Sequence, residues 1–163
     1  MIGYRLSLMK LKYTGINTNR CIQLRHGGLD DNGQLAEQSF SDGNGNPCRH
    51  CLKEIPKSHS MLVLGFRPFK SLQPYAETGP IFLCGESCER YDEFRLPALY
   101  ASRTMLVRGY DQNERIIYGT GKAVSGNDIP GYASQLFERE EVAFIHVRSS
   151  SDNCFHFKME QIN

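Results

Sequence analysis

No stretch of about 18 apolar residues occurs in the 163-residue chain, so a transmembrane helix is not expected. The first ten residues carry charges at Arg5 and Lys10 and lack the unbroken apolar core of an export signal. Excess charge of either sign is missing too. Against 19 Lys and Arg stand 18 Asp and Glu, a formal net charge of +1. That balance gives no general electrostatic reason to expect nucleic acid or a membrane surface as partner. The chain also has no P-loop, dinucleotide glycine motif, H-E-x-x-H pair, EF-hand loop or G-x-S-x-G elbow. Internal repeats and low-complexity tracts are absent as well. These gaps leave no reaction legible from motifs alone.

What is present is core material. Hydrophobic residues make up 40% of the chain and aromatics 10%, which excludes wholesale disorder. A chain of this length buries roughly 68–70% of its unfolded surface and makes one domain, here residues 1–163.

The periodicity predicts mostly strands. Tyr4 to Leu11 alternates Leu6 and Leu8 with Arg5 and Ser7. Residues 26–47, rich in Gly, Asp and Asn, read as one long loop, either functional or partly mobile. Met61 to Phe66 and Gly79 to Cys84 are short apolar runs of the buried-strand kind. Thr104 to Tyr110 and Arg115 to Thr120 flank a four-residue loop and read as a hairpin. One helix is expected near the end. Asn127 or Asp128 caps it, Pro130 lies in its first turn, and Ile129, Ala133, Leu136 and Phe137 form its apolar stripe. Six or seven strands with one or two short helices make an α+β domain on a largely antiparallel sheet.

Six cysteines without an export signal suit a reducing cytoplasm, where metal binding or thiol reactivity outweighs a disulfide framework. Cys48-Arg49-His50-Cys51 is followed, after 32 intervening residues, by Cys84-Gly85-Glu86-Ser87-Cys88. Each pair resembles a zinc knuckle and can place two thiolates on one metal ion at about 2.3 Å. Pro47 stiffens the entry to the first pair, and Gly85 permits a sharp turn in the second. The spacer contains a plausible strand pair that would return the second knuckle beside the first. Cys48, Cys51, Cys84 and Cys88 would then hold one structural Zn²⁺, with His50 and His59 as substitute ligands. Against this stand inert buried thiols and a Cys48/Cys51 redox pair, though the flanks lack a thioredoxin-like context.

The run Pro47-Cys48-Arg49-His50-Cys51-Leu52, the strand Met61-Leu62-Val63-Leu64 and the block Pro74-Tyr75-Ala76-Glu77-Thr78-Gly79-Pro80-Ile81-Phe82 resemble a bacterial family, domain-of-unknown-function family 1203 (DUF1203). Val107-Arg108-Gly109-Tyr110 and His146-Val147-Arg148-Ser149 fit the same pattern, so the resemblance covers most of the chain from about Asn46. It implies a compact single bacterial domain and brings no established activity with it.

The C-terminal segments suggest a second site. Ala143, Ile145 and Val147 share one strand face, as do Phe155, Phe157 and Met159. Joined by the loop Ser149 to Asn153, they are expected to pair Val147 with Phe155 and Ile145 with Phe157. That register sets His146 opposite His156 and Arg148 opposite Cys154, close enough to share a ligand. Arg108 and Tyr110 would join this ligand-binding group from the neighbouring hairpin. The plainer reading, a solvated sheet face, is favoured, since polar outer faces are ordinary on antiparallel sheets. Tyr75 and Glu77 read as turn and packing residues. The sequence thus points to a soluble cytoplasmic binding or structural domain stapled by zinc. The alternatives are an enzyme centred on His146, Arg148 and Cys154, and a thiol redox protein.

Overall fold

Two antiparallel sheets share the chain in the computed structural model, which describes residues 10–163. In chain order come β1 (Lys10–Thr14), α1 (Thr18–Arg25), β2 (Glu37–Phe40), β3 (Ser60–Phe66), β4 (Gly79–Cys84) and β5 (Asp92–Glu93). They are followed by β6 (Thr104–Tyr110), β7 (Lys122–Ser125), α2 (Ile129–Phe137), β8 (Phe144–Ser149) and β9 (Phe155–Ile162). The larger sheet runs β5-β1-β9-β8-β6-β7 and the smaller β2-β3-β4. The fold is α+β, as the sequence indicated. Most of the predicted first strand, before Lys10, lies outside the described residues; the described strand runs from Lys10 to Thr14.

The apolar stripe of α2 (Ile129, Ala133, Leu136 and Phe137) packs on one face of the large sheet, against Val107, Ile145, Val147, Phe157 and Met159. Pro130 occupies its first turn, but neither Asn127 nor Asp128 makes a side-chain cap bond. A second core joins Ile16, Cys21, Leu24 and Cys48 to Leu62, Leu64, Ile81, Leu83 and Phe155. β8 is covered from both sides: Phe144 through Arg148 are all buried.

Four expectations need correction. Residues 26–47 are not one loop, because β2 lies within them; all four of its residues are exposed, so no apolar alternation marked it. Arg115 to Thr120 is not a strand. After a single bridge of Tyr110 with Ile116, the Thr120 hydroxyl bonds the Ile117 carbonyl and accepts from Gly109 N–H, and the chain pairs with β6 only at Lys122–Ser125. α1 was missed: only Cys21 and Leu24 are buried on it, too few for a periodic signal.

The C-terminal register is shifted by two residues. Val147 faces Phe157 and Ile145 faces Met159. One residue of the shift comes from the turn, which closes at Ser149 and Cys154 (Ser149 N–H to Cys154 O, 2.9 Å). The other is a β-bulge that leaves Arg148 beside Phe155 and His156 as the extra residue. Two slips restore parity, so Ile145, Val147, Phe157 and Met159 share a face as expected. Phe155 moves to the second core, and His146 stands opposite Lys158 instead of His156.

Candidate functional site

The first cysteine pair sits on a tight turn. Leu52 N–H returns to the Cys48 carbonyl at 2.9 Å, and Leu52 itself is left-handed (φ 56°). Arg49 N–H bonds the Phe82 carbonyl (3.0 Å), which fastens this turn beside β4. Cys84 ends β4, and Cys88 follows in the next loop. The β3–β4 hairpin, with Met61 paired to Cys84, therefore returns the second pair to the first. Gly85 is needed for close approach: a Cβ there would fall 2.2 Å from Ser60 Oγ.

All four sulfurs lie within 4.8 Å of one another. Two contacts cross between the pairs, Cys48 Sγ to Cys88 Sγ and Cys51 Sγ to Cys84 Sγ, both 3.9 Å. Four thiolates about 2.3 Å from a central ion would be about 3.8 Å apart, so the cluster has the dimensions of a tetrahedral metal site. Donors surround it. His50 N–H (3.4 Å) and Cys84 N–H (3.3 Å) point at Cys48 Sγ, while Arg25 Nη2 (3.3 Å) and His50 Nδ1 (3.1 Å) reach Cys88 Sγ. Arg25 is anchored by Nε to the Cys84 carbonyl, and His50 Nε2 lies 2.9 Å from Thr18 Oγ1. Negative charge concentrates on two sulfurs. Cys48 is lowered to about 6, chiefly by its hydrogen bond with Cys51, and Cys88 is lowered by bonds to Cys48, Cys51 and Cys84. Cys51 and Cys84 are raised, above all by the bond each shares with Cys48. This cluster of four close cysteines can hold a metal ion.

Its supports were only partly visible in sequence. His50, expected at the surface or as a ligand, is fully buried and acts as a donor beside the sulfurs; His59 is exposed. Arg25 arrives on the unpredicted α1. Gly15 packs against the knuckle, where an added Cβ would lie 2.1 Å from the His50 carbonyl oxygen. Gly15→Ala is expected to push that backbone away and destabilise the fold by roughly 1–3 kcal/mol, read as a lower melting temperature. An unchanged melting temperature would count against this packing.

The polar face of β8 is not solvated. Arg148 and His146 are each 1% exposed; Phe69, Tyr110 and Phe144, with Phe155 from the second core, close around the imidazole. Arg148 Nη2 donates to His146 Nδ1 at 3.0 Å and forms an ion pair with Glu77, while Nη1 reaches the Asn153 carbonyl (3.1 Å). Glu77, read from sequence as a packing residue, is thus the counter-ion of a buried arginine. Arg108 donates through Nε (2.9 Å) and Nη2 (2.7 Å) to the Tyr110 hydroxyl and lies 4.0 Å from Glu77. Burial, with Arg148, Lys158 and Arg108 nearby, holds His146 well below its ordinary range.

His156 and Cys154 do not join this group. The bulge turns His156 to Tyr100, whose hydroxyl meets Nδ1 at 2.8 Å, and burial pushes the imidazole down to about 2. Cys154 stays on the loop, its Sγ 3.8 Å from the Asp152 carbonyl. Arg108, Tyr110, His146 and Arg148 are together; the proposed pairing with Cys154 and His156 is not formed.

No helix among the described residues is long and apolar enough to cross a membrane. No curated protein and no solved structure matches the chain. Residues 45–161, which hold the cysteine cluster and both strands of the C-terminal hairpin, match the family model described as "Protein of unknown function (DUF1203)", and the chain belongs to that family.

Proposed function

We propose that the protein is a binding or structural domain whose fold is stapled by one structural zinc ion on Cys48, Cys51, Cys84 and Cys88. The observation that carries this reading is the crosswise approach of the two pairs at 3.9 Å. A redox pair would need Cys48 and Cys51 alone, without Cys84 and Cys88 closing on them. Four cysteine ligands complete a tetrahedron and leave no open position for water or substrate, which favours a structural role over a catalytic one. Donors from Arg25 and His50 offset the charge that four thiolates would bring to the ion. All six cysteines are free thiols, in keeping with a reducing cytoplasm. The near-neutral charge gives no reason to look for nucleic acid or membrane partners.

Elemental analysis of protein purified without added metal is the direct test. Near-stoichiometric zinc is expected. Less than about a tenth of an equivalent of any metal, with all four thiols alkylated freely in the native protein, would sink the proposal. Stoichiometric iron would keep the site and change the ion.

A further inference from the structure

A cavity of about 370 Å³ opens beside β8 and β9, away from the cysteine cluster's sulfurs. Ligand sites generally span about 300–1,000 Å³, so it suits a ligand about the size of one or two rings. Its apolar wall is Phe66, Phe69, Phe144 and Phe155, gathered around His146 with ring centroids of the last three 4.8–5.2 Å from the imidazole.

The rest of the lining is charged unevenly. Arg20, Arg67, Lys70, Arg90 and Lys158 stand against Asp31 and Glu114. Both acids are already engaged. Asp31 pairs with Arg20 (3.2 Å) and accepts the Arg67 backbone N–H (2.7 Å). Glu114 accepts the backbone N–H groups of Lys70 (2.8 Å) and Ser71 (2.9 Å). Arg20 is spent on Asp31, Gln23 and Leu29, and Lys158 has a loose contact with Glu160 (3.7 Å), which lies outside the cavity lining. Arg67 Nε is buried without a hydrogen-bond partner, an arrangement that costs free energy unless something accepts from it. His146 has its Nδ1 occupied by Arg148, which places the ring proton on Nε2, for which no acceptor is found among the described residues. Lys158 lies over the Phe144 ring, 4.7 Å from its centroid, joining the charged rim to the apolar wall.

We propose that this cavity binds a small organic anion, its ring-sized apolar body against the phenylalanines and its carboxylate or phosphate group held by Arg67 and Lys158. The aromatic lining supplies burial, and the guanidinium and ammonium supply charge-assisted bonds that select for the anion.

Calorimetry and amide NMR on the full, metal-loaded protein test this with four probes: naphthoate, naphthyl phosphate, neutral naphthylmethanol and inorganic phosphate. One of the aromatic anions should bind one-to-one, roughly tenfold or more tighter than naphthylmethanol and inorganic phosphate. Shifts should centre on Phe66 to Phe69 and Phe144 to His146. Whichever aromatic anion binds more tightly assigns the head group. Arg67→Gln and Lys158→Gln should each weaken that probe roughly tenfold, while Lys122→Gln, beside Tyr132, should leave it unchanged. Four results would overturn the proposal: no saturable binding of any probe, equal binding of the neutral alcohol, inorganic phosphate binding as tightly as the aromatic anions, or affinity unaffected by both rim substitutions. The metal reading stands or falls separately, since zinc content is measured on the same sample.

Discussion

Stripping the proposed zinc from the protein, or replacing Cys51 with Ser, is expected to unfold it well below the melting temperature of the intact form. Structural zinc sites contribute about 10–16 kcal/mol of apparent binding free energy in zinc-finger peptides at neutral pH. An ordinary domain is stable by only about 5–15 kcal/mol in total. A ligand that binds only the folded state adds its free energy to folding, so its loss can remove most of the margin. The cluster also ties the 48–51 turn to the end of β4, and the second core packs around Cys48. Cys154→Ser, on a half-exposed loop residue, is the proper control and should shift the transition little. Cys21 is a poor control, because it is fully buried in that same core. Thermal unfolding followed by circular dichroism, with and without chelator, makes the comparison. Metal-free protein melting within about 2 °C of the loaded form would show that the site does not staple the fold.

Mild acid is expected to weaken the protein through two buried imidazoles. His146 is held well below its ordinary range and His156 is pushed down to about 2, both first by burial. Arg148, Lys158 and Arg108 add to the effect at His146, as do Arg49 and Arg103 at His156. In the unfolded chain each histidine titrates near about 6.5. Above that pH both are neutral in either state, and stability is complete. Below it the unfolded chain takes up two protons that the folded chain refuses. Each imidazole then costs about 1.4 kcal/mol per pH unit. Between pH 7.5 and pH 5 the combined loss should be roughly 4 kcal/mol. Urea unfolding at several pH values measures it. His156→Gln separates the imidazoles from acid release of a thiolate-bound metal: its slope should fall by about 1.4 kcal/mol per unit. A slope unchanged in that variant would assign the acid sensitivity elsewhere.

These two effects draw on residues that the sequence revealed unequally. The cysteine spacing was enough to bring Cys48, Cys51, Cys84 and Cys88 together, because a short hairpin is the natural way to return a spacer containing two apolar runs. α2 was legible from one stripe, and β3 and β4 from apolar runs bounded by Gly and Pro. The polar face of β8 was misread for a physical reason: alternation tells which residues share a face, and it does not tell whether a second layer covers that face. Here Phe69, Tyr110 and Phe155 help to bury it, and Arg148 is held by His146, the Asn153 carbonyl and Glu77, the last a partner far away in sequence. The bulge at His156 was equally hidden, since together with the one-residue shift at the turn it preserves parity. Arg25 and His50, which serve the sulfurs, were out of reach because their value depends on a helix with only two buried side chains.

The strand order also sets a timetable during synthesis. β2, β3, β4 and all four clustered cysteines have been synthesised once Cys88 is made, so the smaller sheet and its sulfur cluster have every strand and ligand they need well before the chain is finished. The larger sheet has to wait. β1 pairs with β9, Lys10 against Ile162, and β6 reaches β1 only through β8 and β9. At about 5–20 residues per second, β1 therefore spends on the order of ten seconds without its main partner. Tyr13 and Leu11, buried in the finished fold, wait for their cover through that interval, and the nascent chain is exposed to mispairing along β1.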